Sequence, residues 1–191
     1  SRITFSESNT PDVENLYARL GSTPPNLCFA GHTDVVPIGD RNKWDSDPFT
    51  PTIKNGQLHG RGAADMKCAI AAFAAATKSF CKLTNNNFCG SISFLITGDE
   101  EGPAINGTTK MLDWLKSKGE TLDDCIVGEP TSEKKVGDII KIGRRGSLNA
   151  NVSVFGNQGH VAYPDKADNP IGRLLTYLTH LDNKVWDNGT Q

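Results

Sequence analysis

The stretch SISFLITGDEEG, residues 91–102, joins an apolar run to three consecutive carboxylates. The run predicts a β-strand over Ser91–Thr97, and Asp99, Glu100 and Glu101 follow it almost at once. A solvated acidic turn would account for the carboxylates, because like charges repel one another unless water or cations separate them. An apolar strand is expected to be buried, however, and sites form at strand ends in open α/β sheets. The stretch therefore indicates an α/β sheet with a candidate site at this strand end.

The segments around this strand predict strands and helices in alternation. Residues 65–80 form the clearest predicted helix, because they are rich in alanine and contain neither Gly nor Pro. Alanine on several faces indicates close packing against other elements. The alternation favours a layered α/β domain with a mainly parallel sheet. The other predicted elements here are strands at 27–30 and 125–127, a long loop with short strands at 36–62, a turn at 85–87, and a helix at 108–118 that ends at Gly119.

The pattern changes after Glu129. Residues 138–142 and 147–155 are rich in β-forming side chains and are joined by GRRG, which predicts a hairpin. Pro170 then opens a predicted helix with an apolar stripe. The apolar residues of these elements are Leu148, Ala150, Val152 and Val154 on one strand face, and Ile171, Leu174, Leu175, Leu178 and Leu181 along the helix.

We place a domain boundary near residue 146. Residues 1–145 are expected to form an incomplete catalytic, metal-binding domain, and residues 146–191 the start of a smaller α+β domain. The apolar stripe needs a partner sheet, and two strands rarely suffice for one. The sequence therefore predicts a chain that is cut short.

Composition narrows the class of protein. The chain is 37% hydrophobic and 22% charged, as is typical of soluble globular proteins. Its net charge of −2 and pI near 6.1 predict neither a nucleic-acid nor a membrane partner. The first residues lack the layout of a secretory signal, and the five cysteines, without a CxxC pair, favour free, reduced thiols. We expect a cytoplasmic protein.

Three further positions carry candidate metal ligands. In GHTDVVP, His32 and Asp34 are two residues apart, so on extended chain Asp34 can hold one ring nitrogen of His32 while the other faces a metal. Asp65, in GRGAADMK, precedes the predicted helix, where a role as its N-cap is the plain alternative. Glu129, in IVGEPT, follows a short apolar strand. Each signal is weak alone, but together they form a mixed nitrogen and oxygen ligand set that suits zinc.

The motifs GHTDVVP, GRGAADMK, TGDEEG and VGEPT, in this order and at these separations, resemble those of the zinc aminoacylase and carboxypeptidase family of co-catalytic metallohydrolases. IGRRGSLN and NQGHVAYPDKADNP narrow the resemblance to its bacterial members that act on N-succinyl-diaminopimelate. The resemblance covers nearly the whole chain. It implies hydrolysis of an amide bond to give succinate and diaminopimelate, precursors in lysine and cell-wall biosynthesis. It also implies two zinc ions per complete subunit, which cobalt can replace.

The resemblance assigns the metal ligands residue by residue. Asp65 would bridge the two zinc ions through its two oxygens. His32 and Glu129 would complete the first metal site, and Glu101 would bind the second metal. Adjacent cations would also keep these crowded carboxylates ionised.

The resemblance further implies roles in catalysis. Glu100 would be the general base that activates a water, and Asp34 would orient His32. His160 would lie on a dimerisation domain and stabilise the oxyanion in the active site of the partner subunit of a homodimer. Without the resemblance, we would interpret His160 as a histidine in a glycine-flanked loop with no catalytic role. Arg144 and Arg145 could orient a substrate carboxylate, although exposed residues at a hairpin tip are the favoured alternative.

The chain also departs from the family pattern. Members of the family carry one more zinc-binding histidine near their C-terminus and an N-terminal helix, and neither is recognised here. We therefore expect truncation at both ends, a weakly held second metal and inefficient turnover. Alternative predictions are a related deacylase such as acetylornithine deacetylase, a dipeptidase, or a non-catalytic fragment that folds and binds at most one metal tightly.

Overall fold

The computed structural model describes residues 1–143, 146 and 148–186. The chain divides into two compact units, Ser1–Lys141 and Ile142–Gln191. The first unit carries a five-stranded sheet with helices, and the second carries one long helix. The predicted boundary after residue 145, with its assignment of roles to the two parts, stays a prediction.

The sheet of the first unit has the strand order β1-β2-β6-β3-β7. The pairs β6–β3 and β3–β7 are parallel, whereas β1–β2 and β2–β6 are antiparallel. The predicted α/β class is confirmed, and the sheet is mixed, with the expected parallel pairing in its site-bearing half. The strands are β1 (Arg2–Phe5), β2 (Val13–Leu20), β3 (Asn26–His32), β6 (Ser91–Thr97) and β7 (Asp124–Val127).

One helix packs on each face of this sheet. Cys28 and Leu95 face α2 (Thr108–Ser117), whose Met111 and Leu115 are buried in the same cluster. The other face meets α1 (Cys68–Leu83), where Phe73 stacks on Phe29 at 4.6 Å between ring centroids. Successive strand residues point to opposite faces, so one strand supplies both layers. The result is a helix–sheet–helix arrangement that leaves the strand ends free to carry a site.

The helix α1 begins at Cys68, three residues later than the sequence predicts. Asp65 (φ −121°, ψ 99°) and Met66 (φ −134°, ψ 25°) leave the helical conformation within a wide turn, Ala63–Lys67. The N-cap position is taken by Lys67, so the plain interpretation of Asp65 as the N-cap is wrong. The expected packing on several faces is also wrong, because just one stripe is half-buried. The alanines exposed on the other faces are Ala71, Ala72, Ala74, Ala75 and Ala76.

The first unit also contains two antiparallel strand pairs, β4–β5 and β1–β2. The predicted long loop contains a small hairpin of β4 (Thr52–Lys54) and β5 (Gln57–His59). Its turn, Asn55-Gly56, has φ of 54° and 75°, the left-handed values that a two-residue hairpin turn requires. The strands β1 and β2, in contrast, are not predicted from the sequence. Asn15 lies on the buried face of β2 and is 1% exposed, so a polar residue interrupts the apolar signal there.

The second unit contains α3 (Pro170–Asp182), which begins at Pro170 as predicted, with Asn169 as its N-cap. The predicted strands at 138–142 and 147–155 are wrong: the described residues of both runs form no β-ladder. A strand needs ladder partners and a buried apolar face, whereas Leu148 is 89% exposed and Val152 54%. The tip of the predicted hairpin, with Arg144 and Arg145, lies outside the described residues.

All five cysteines are free, as predicted, although Cys28 alone among them is buried. Burial raises the pKa of the Cys28 thiol to about 11. Among the described helices, none has the length and apolar composition needed to cross a lipid bilayer.

The loop after β6 is fixed by a buried carboxylate. Asp99 is 6% exposed, and its oxygens accept hydrogen bonds from the backbone amides of Ala104 (3.0 Å), Ile105 (2.8 Å) and Asn106 (2.8 Å). The Asn106 side chain in turn donates to Thr10 Oγ1 (2.7 Å) between β1 and β2. The turn that carries Glu100 and Glu101 is therefore held rigidly at its base.

Replacing Asp99 by Ala should lower the free energy of unfolding by about 3 kcal/mol, because three backbone amide donors, that of Asn106 buried, lose a charged acceptor. Urea denaturation of the two proteins measures this difference. The matched control is Asp113→Ala on the exposed side of α2, which should change stability by less than about 0.5 kcal/mol. Equal effects of the two substitutions would contradict the anchoring role.

Candidate metal centre

Five candidate residues lie at one edge of the sheet. His32 is the last residue of β3, Glu100 and Glu101 lie in the turn after β6, and Glu129 follows β7 by two residues. These three strands are parallel to one another, so their carboxyl ends meet at the same edge. Asp65 reaches this edge from the turn before α1.

The imidazole of His32 is the centre of the cluster. The residue is 1% exposed, and its Nε2 lies 2.9 Å from Asp65 Oδ1. The same nitrogen lies 3.5 Å from Glu129 Oε1 and 3.9 Å from Glu100 Oε2. One ring nitrogen thus faces three carboxylates from three different chain junctions.

Two sets of side chains are close enough to share an ion. Each combines His32 with two carboxylates, and the ligand atoms of each set lie within 4.8 Å of one another. One set contains Asp65 and Glu101, and the other contains Glu100 and Glu129. The four ligands that the resemblance assigns to this chain, His32, Asp65, Glu101 and Glu129, are therefore brought together. The grouping of the two adjacent glutamates differs from the implied one, and the individual roles stay predictions.

Asp34 holds both the imidazole and the glutamate turn. His32 Nδ1 lies 3.0 Å from the Asp34 backbone oxygen and 3.4 Å from its carboxylate Oδ1. The other carboxylate oxygen, Oδ2, accepts hydrogen bonds from the backbone amides of Glu100 (3.0 Å) and Glu101 (2.8 Å). The shorter contact to His32 thus comes from the main chain and not from the side chain, because the carboxylate is engaged by the glutamate turn.

Burial and neighbouring charges shift the pKa values of three groups in the cluster. Burial raises the pKa of both Glu101 and Glu129, and the negative charge of Asp65 raises each further. Burial lowers the pKa of His32, but the Asp34 carbonyl and the charge of Glu129 outweigh it, so the net shift is upward. All three shifts therefore favour the protonated form of the group.

A divalent cation would compensate the same charge more directly. Imidazole nitrogen and carboxylate oxygen are donors that zinc accepts, and they come here from a buried and well-anchored edge. A cation also favours the ionised carboxylates that burial disfavours. The residues present therefore fit a divalent metal.

The metal-binding sets found among the described residues do not include the predicted catalytic residue His160. His160 lies in an exposed turn of the second unit, where its Nδ1 accepts a hydrogen bond from the amide of Ala162 (3.1 Å). Arg144 and Arg145 fall outside the described residues. His59, on β5, and His180, on α3, are exposed and contribute to neither metal-binding set.

Two glycines next to the candidate ligands have a packing role that is not predicted from the sequence. Gly31 directly precedes His32, and Gly128 directly precedes Glu129. A Cβ atom at either glycine would lie within 2.9 Å of the methyl carbon of Met66, which is too close for any real contact. The pairs Gly-His and Gly-Glu at the two strand ends were the available signal.

Zinc binding should release protons, and more of them at pH 6 than at pH 8. A raised pKa means that His32 holds its proton to a pH above its ordinary value of about 6.5, and that proton must leave when a metal binds. Apparent affinity should accordingly rise as pH increases through this range. Calorimetry in buffers of different ionisation enthalpy counts the released protons.

The control for proton release is His180→Ala, which should release the same number of protons on zinc binding as the original chain at every pH. Proton release that is equally small at pH 6 and pH 8 would contradict the involvement of a protonated imidazole.

The sequence and the fold have known counterparts. The profile of peptidase family M20/M25/M40 matches residues 28–179. Two curated relatives named succinyl-diaminopimelate desuccinylase, from Parvibaculum lavamentivorans and Beijerinckia indica, are 61% and 58% identical over 189 residues. Each alignment covers 99% of this chain, and 47% and 49% of the respective relative. The chain thus spans about half the length of these relatives.

Solved structures of related hydrolases share the fold of this chain. Human carnosine dipeptidase 1 is 33% identical, with a TM-score of 0.51 over 61% of this chain and 25% of its own. The M20 family metallo-carboxypeptidase Sso-CP2 from Sulfolobus solfataricus is 25% identical, with a TM-score of 0.52 over 66% of this chain and 28% of its own. With the profile matched over most of the sequence and the α/β fold shared, the chain belongs to peptidase family M20/M25/M40.

Proposed function

We propose that the protein hydrolyses the amide bond of N-succinyl-diaminopimelate in a zinc-dependent reaction that yields succinate and diaminopimelate. The observation that carries this proposal is the convergence of carboxylates on the buried His32 at the carboxyl ends of parallel strands. The substrate follows from similarity to proteins named succinyl-diaminopimelate desuccinylase.

The proposed metal is zinc, with two ions per complete subunit. Asp65 is the proposed bridging ligand, His32 and Glu129 complete one site, and Glu101 contributes to the other. When bound, zinc supplies Lewis acidity, which makes an amide carbonyl a better electrophile and a water a better nucleophile at neutral pH.

Glu100 is the proposed general base. Its carboxylate lies at the rim of the cluster, with the side chain 34% exposed, so it can reach both a water and the substrate. It would take one proton from the water as the water oxygen adds to the carbonyl carbon. It would then return that proton to the amide nitrogen as the carbon–nitrogen bond breaks. The products are a carboxylic acid and a free amine, so atoms and protons balance.

The backbone of the Glu100–Glu101 turn keeps the two glutamates in place for these tasks. Asp34 accepts both amide hydrogens of the turn, and Asp99 fixes the loop that follows. A base whose main chain is fixed loses less freedom when it meets the substrate, which lowers the cost of reaching the reactive geometry.

Contributions from the second unit are proposed from the resemblance alone. His160 would stabilise the oxyanion in the partner subunit of a homodimer, and Arg144 and Arg145 would orient a substrate carboxylate. The cytoplasmic location predicted from the sequence stays a prediction.

A dipeptidase is the second candidate. It is favoured by the structural likeness to human carnosine dipeptidase 1 at 33% identity. The desuccinylase is preferred because the relatives with that name are 54–61% identical across 99% of this chain. The two candidates differ in the group that they hydrolyse, so a substrate comparison separates them.

Substitution of the adjacent glutamates should separate base from ligand. Glu101→Gln should weaken zinc binding by about tenfold or more, because a ligand charge is lost. Glu100→Gln should leave zinc affinity within about threefold and lower turnover by about 10²–10⁴-fold. Calorimetric titration with zinc and release of free amine from N-succinyl-diaminopimelate are the two measurements.

Glu133→Gln, an exposed glutamate outside the cluster, is the matched control and should change neither quantity. Loss of zinc by Glu100→Gln with full retention by Glu101→Gln would reverse the assigned roles. Faster hydrolysis of carnosine or N-acetylornithine than of the succinyl substrate would contradict the proposed specificity.

A further inference from the structure

Met66 is a buried residue whose side chain lies against the chain segments that carry His32 and Glu129. It follows Asp65 directly in the chain and is 0% exposed. Because the wide turn leaves the helical conformation at Asp65 and Met66, the two side chains diverge: Asp65 reaches His32 and Met66 enters the apolar cluster beneath the site.

The sulfur atom of Met66 contacts the strand that carries the imidazole. The backbone amide of His32 donates a hydrogen bond to Met66 Sδ, with 3.3 Å between nitrogen and sulfur. A thioether is a weak acceptor that an aliphatic side chain cannot replace. The main chain of His32 is thereby tied to the turn that carries Asp65.

The methyl group of Met66, together with the ring of Phe29, occupies the space left by two glycines. A Cβ atom built on Gly31 would lie 2.8 Å from Met66 Cε, and one built on Gly128 would lie 2.9 Å from it. Gly31 precedes His32 on β3, and Gly128 precedes Glu129 after β7. The methyl group therefore fits between the two strand ends that carry these side chains.

Resting on the proposed zinc-dependent function, we propose that Met66 is a positioning residue that sets the spacing of Asp65, His32 and Glu129 for the metal. The side chain of Met66 accepts a hydrogen bond from the backbone of His32 and lies against Gly128, the residue before Glu129. Met66 is also joined to Asp65 by a peptide bond. A shift of its thioether moves the three ligand-bearing segments relative to one another. The proposal goes beyond the family assignments, which concern the ligands and the base.

Met66→Leu tests this role, because leucine keeps an apolar side chain of similar volume but lacks the sulfur and the terminal methyl group. Zinc affinity should fall by about tenfold, the size of effect that groups supporting metal ligands typically have. The melting temperature without metal should fall by just about 2–4 °C, since exchange of Met for Leu is well tolerated in cores. Calorimetric zinc titration and thermal unfolding measure the two effects.

The matched control is Met111→Leu. Met111 is also 0% exposed, but it belongs to α2 and lies in the cluster on the opposite face of the sheet. It should show a similar change in melting temperature with unchanged zinc affinity. This pair separates a role in positioning ligands from a role in filling the core.

A second variant approaches the same contact from the opposite side. Gly128→Ala forces a new methyl group against Met66 and, more closely still, against the ring of Phe29 in the same cluster, and should also weaken zinc binding by about tenfold. Gly60→Ala is its control, because a Cβ there meets its nearest atom at an ordinary 3.6 Å. The visible absorption spectrum of the cobalt-loaded chain should change in Met66→Leu and Gly128→Ala but not in the controls.

Zinc binding by the original chain tests the proposed function, and zinc binding by the variants tests the role of Met66. Zinc affinity and cobalt spectra of Met66→Leu and Gly128→Ala that equal those of the original chain would overturn the role of Met66. Failure of the original chain to bind zinc at all would contradict the proposed function, and the positioning role with it. Zinc affinity that falls in these two variants but not in their controls supports both the proposed function and the positioning role of Met66.

Discussion

Five carboxylates surround one buried imidazole at the edge of the sheet, and like charges at this separation repel one another. Two unit charges 4 Å apart interact with about 4 kcal/mol at the effective dielectric constant near a protein surface. Burial and the negative charge of Asp65 raise the pKa of Glu101 and of Glu129, while the Asp34 carbonyl and the charge of Glu129 raise the pKa of His32. The arrangement is stable as an ionised cluster when a cation sits among the carboxylates, and the rest of the site is explained by that requirement.

The fold meets this requirement by delivering each ligand from a rigid element. The parallel strands β3, β6 and β7 end at the same edge, and buried contacts fix the segments that follow them. Asp34 and Asp99 accept the amide hydrogens of the acidic loop, while Met66 lies beneath the ligands. Polar anchors on one side and a thioether on the other therefore position the same group of side chains.

Sequence reasoning succeeded where short-range signals agree with the final packing. The strand at Ser91–Thr97 and the helix that ends at Gly119 were predictable, since an apolar run and a terminating glycine are local signals. The departure of Asp65 from the helix was not, because contacts with His32 override the helical preference of the alanine-rich segment. The strand β2 was missed because it buries Asn15, whose side-chain amide donates to the carbonyl of Asn106, 91 residues away. The candidate ligands were identifiable as a set whose side chains the fold brings together, but their grouping depends on distances that no spacing in the sequence encodes.

The most direct test is anomalous diffraction at the zinc absorption edge from crystals of the zinc-loaded chain. The account predicts an anomalous peak about 2.1 Å from His32 Nε2, with carboxylate oxygens of Asp65 and Glu129 in the same coordination sphere. A zinc peak elsewhere on the chain, with these three side chains free of metal, would contradict it.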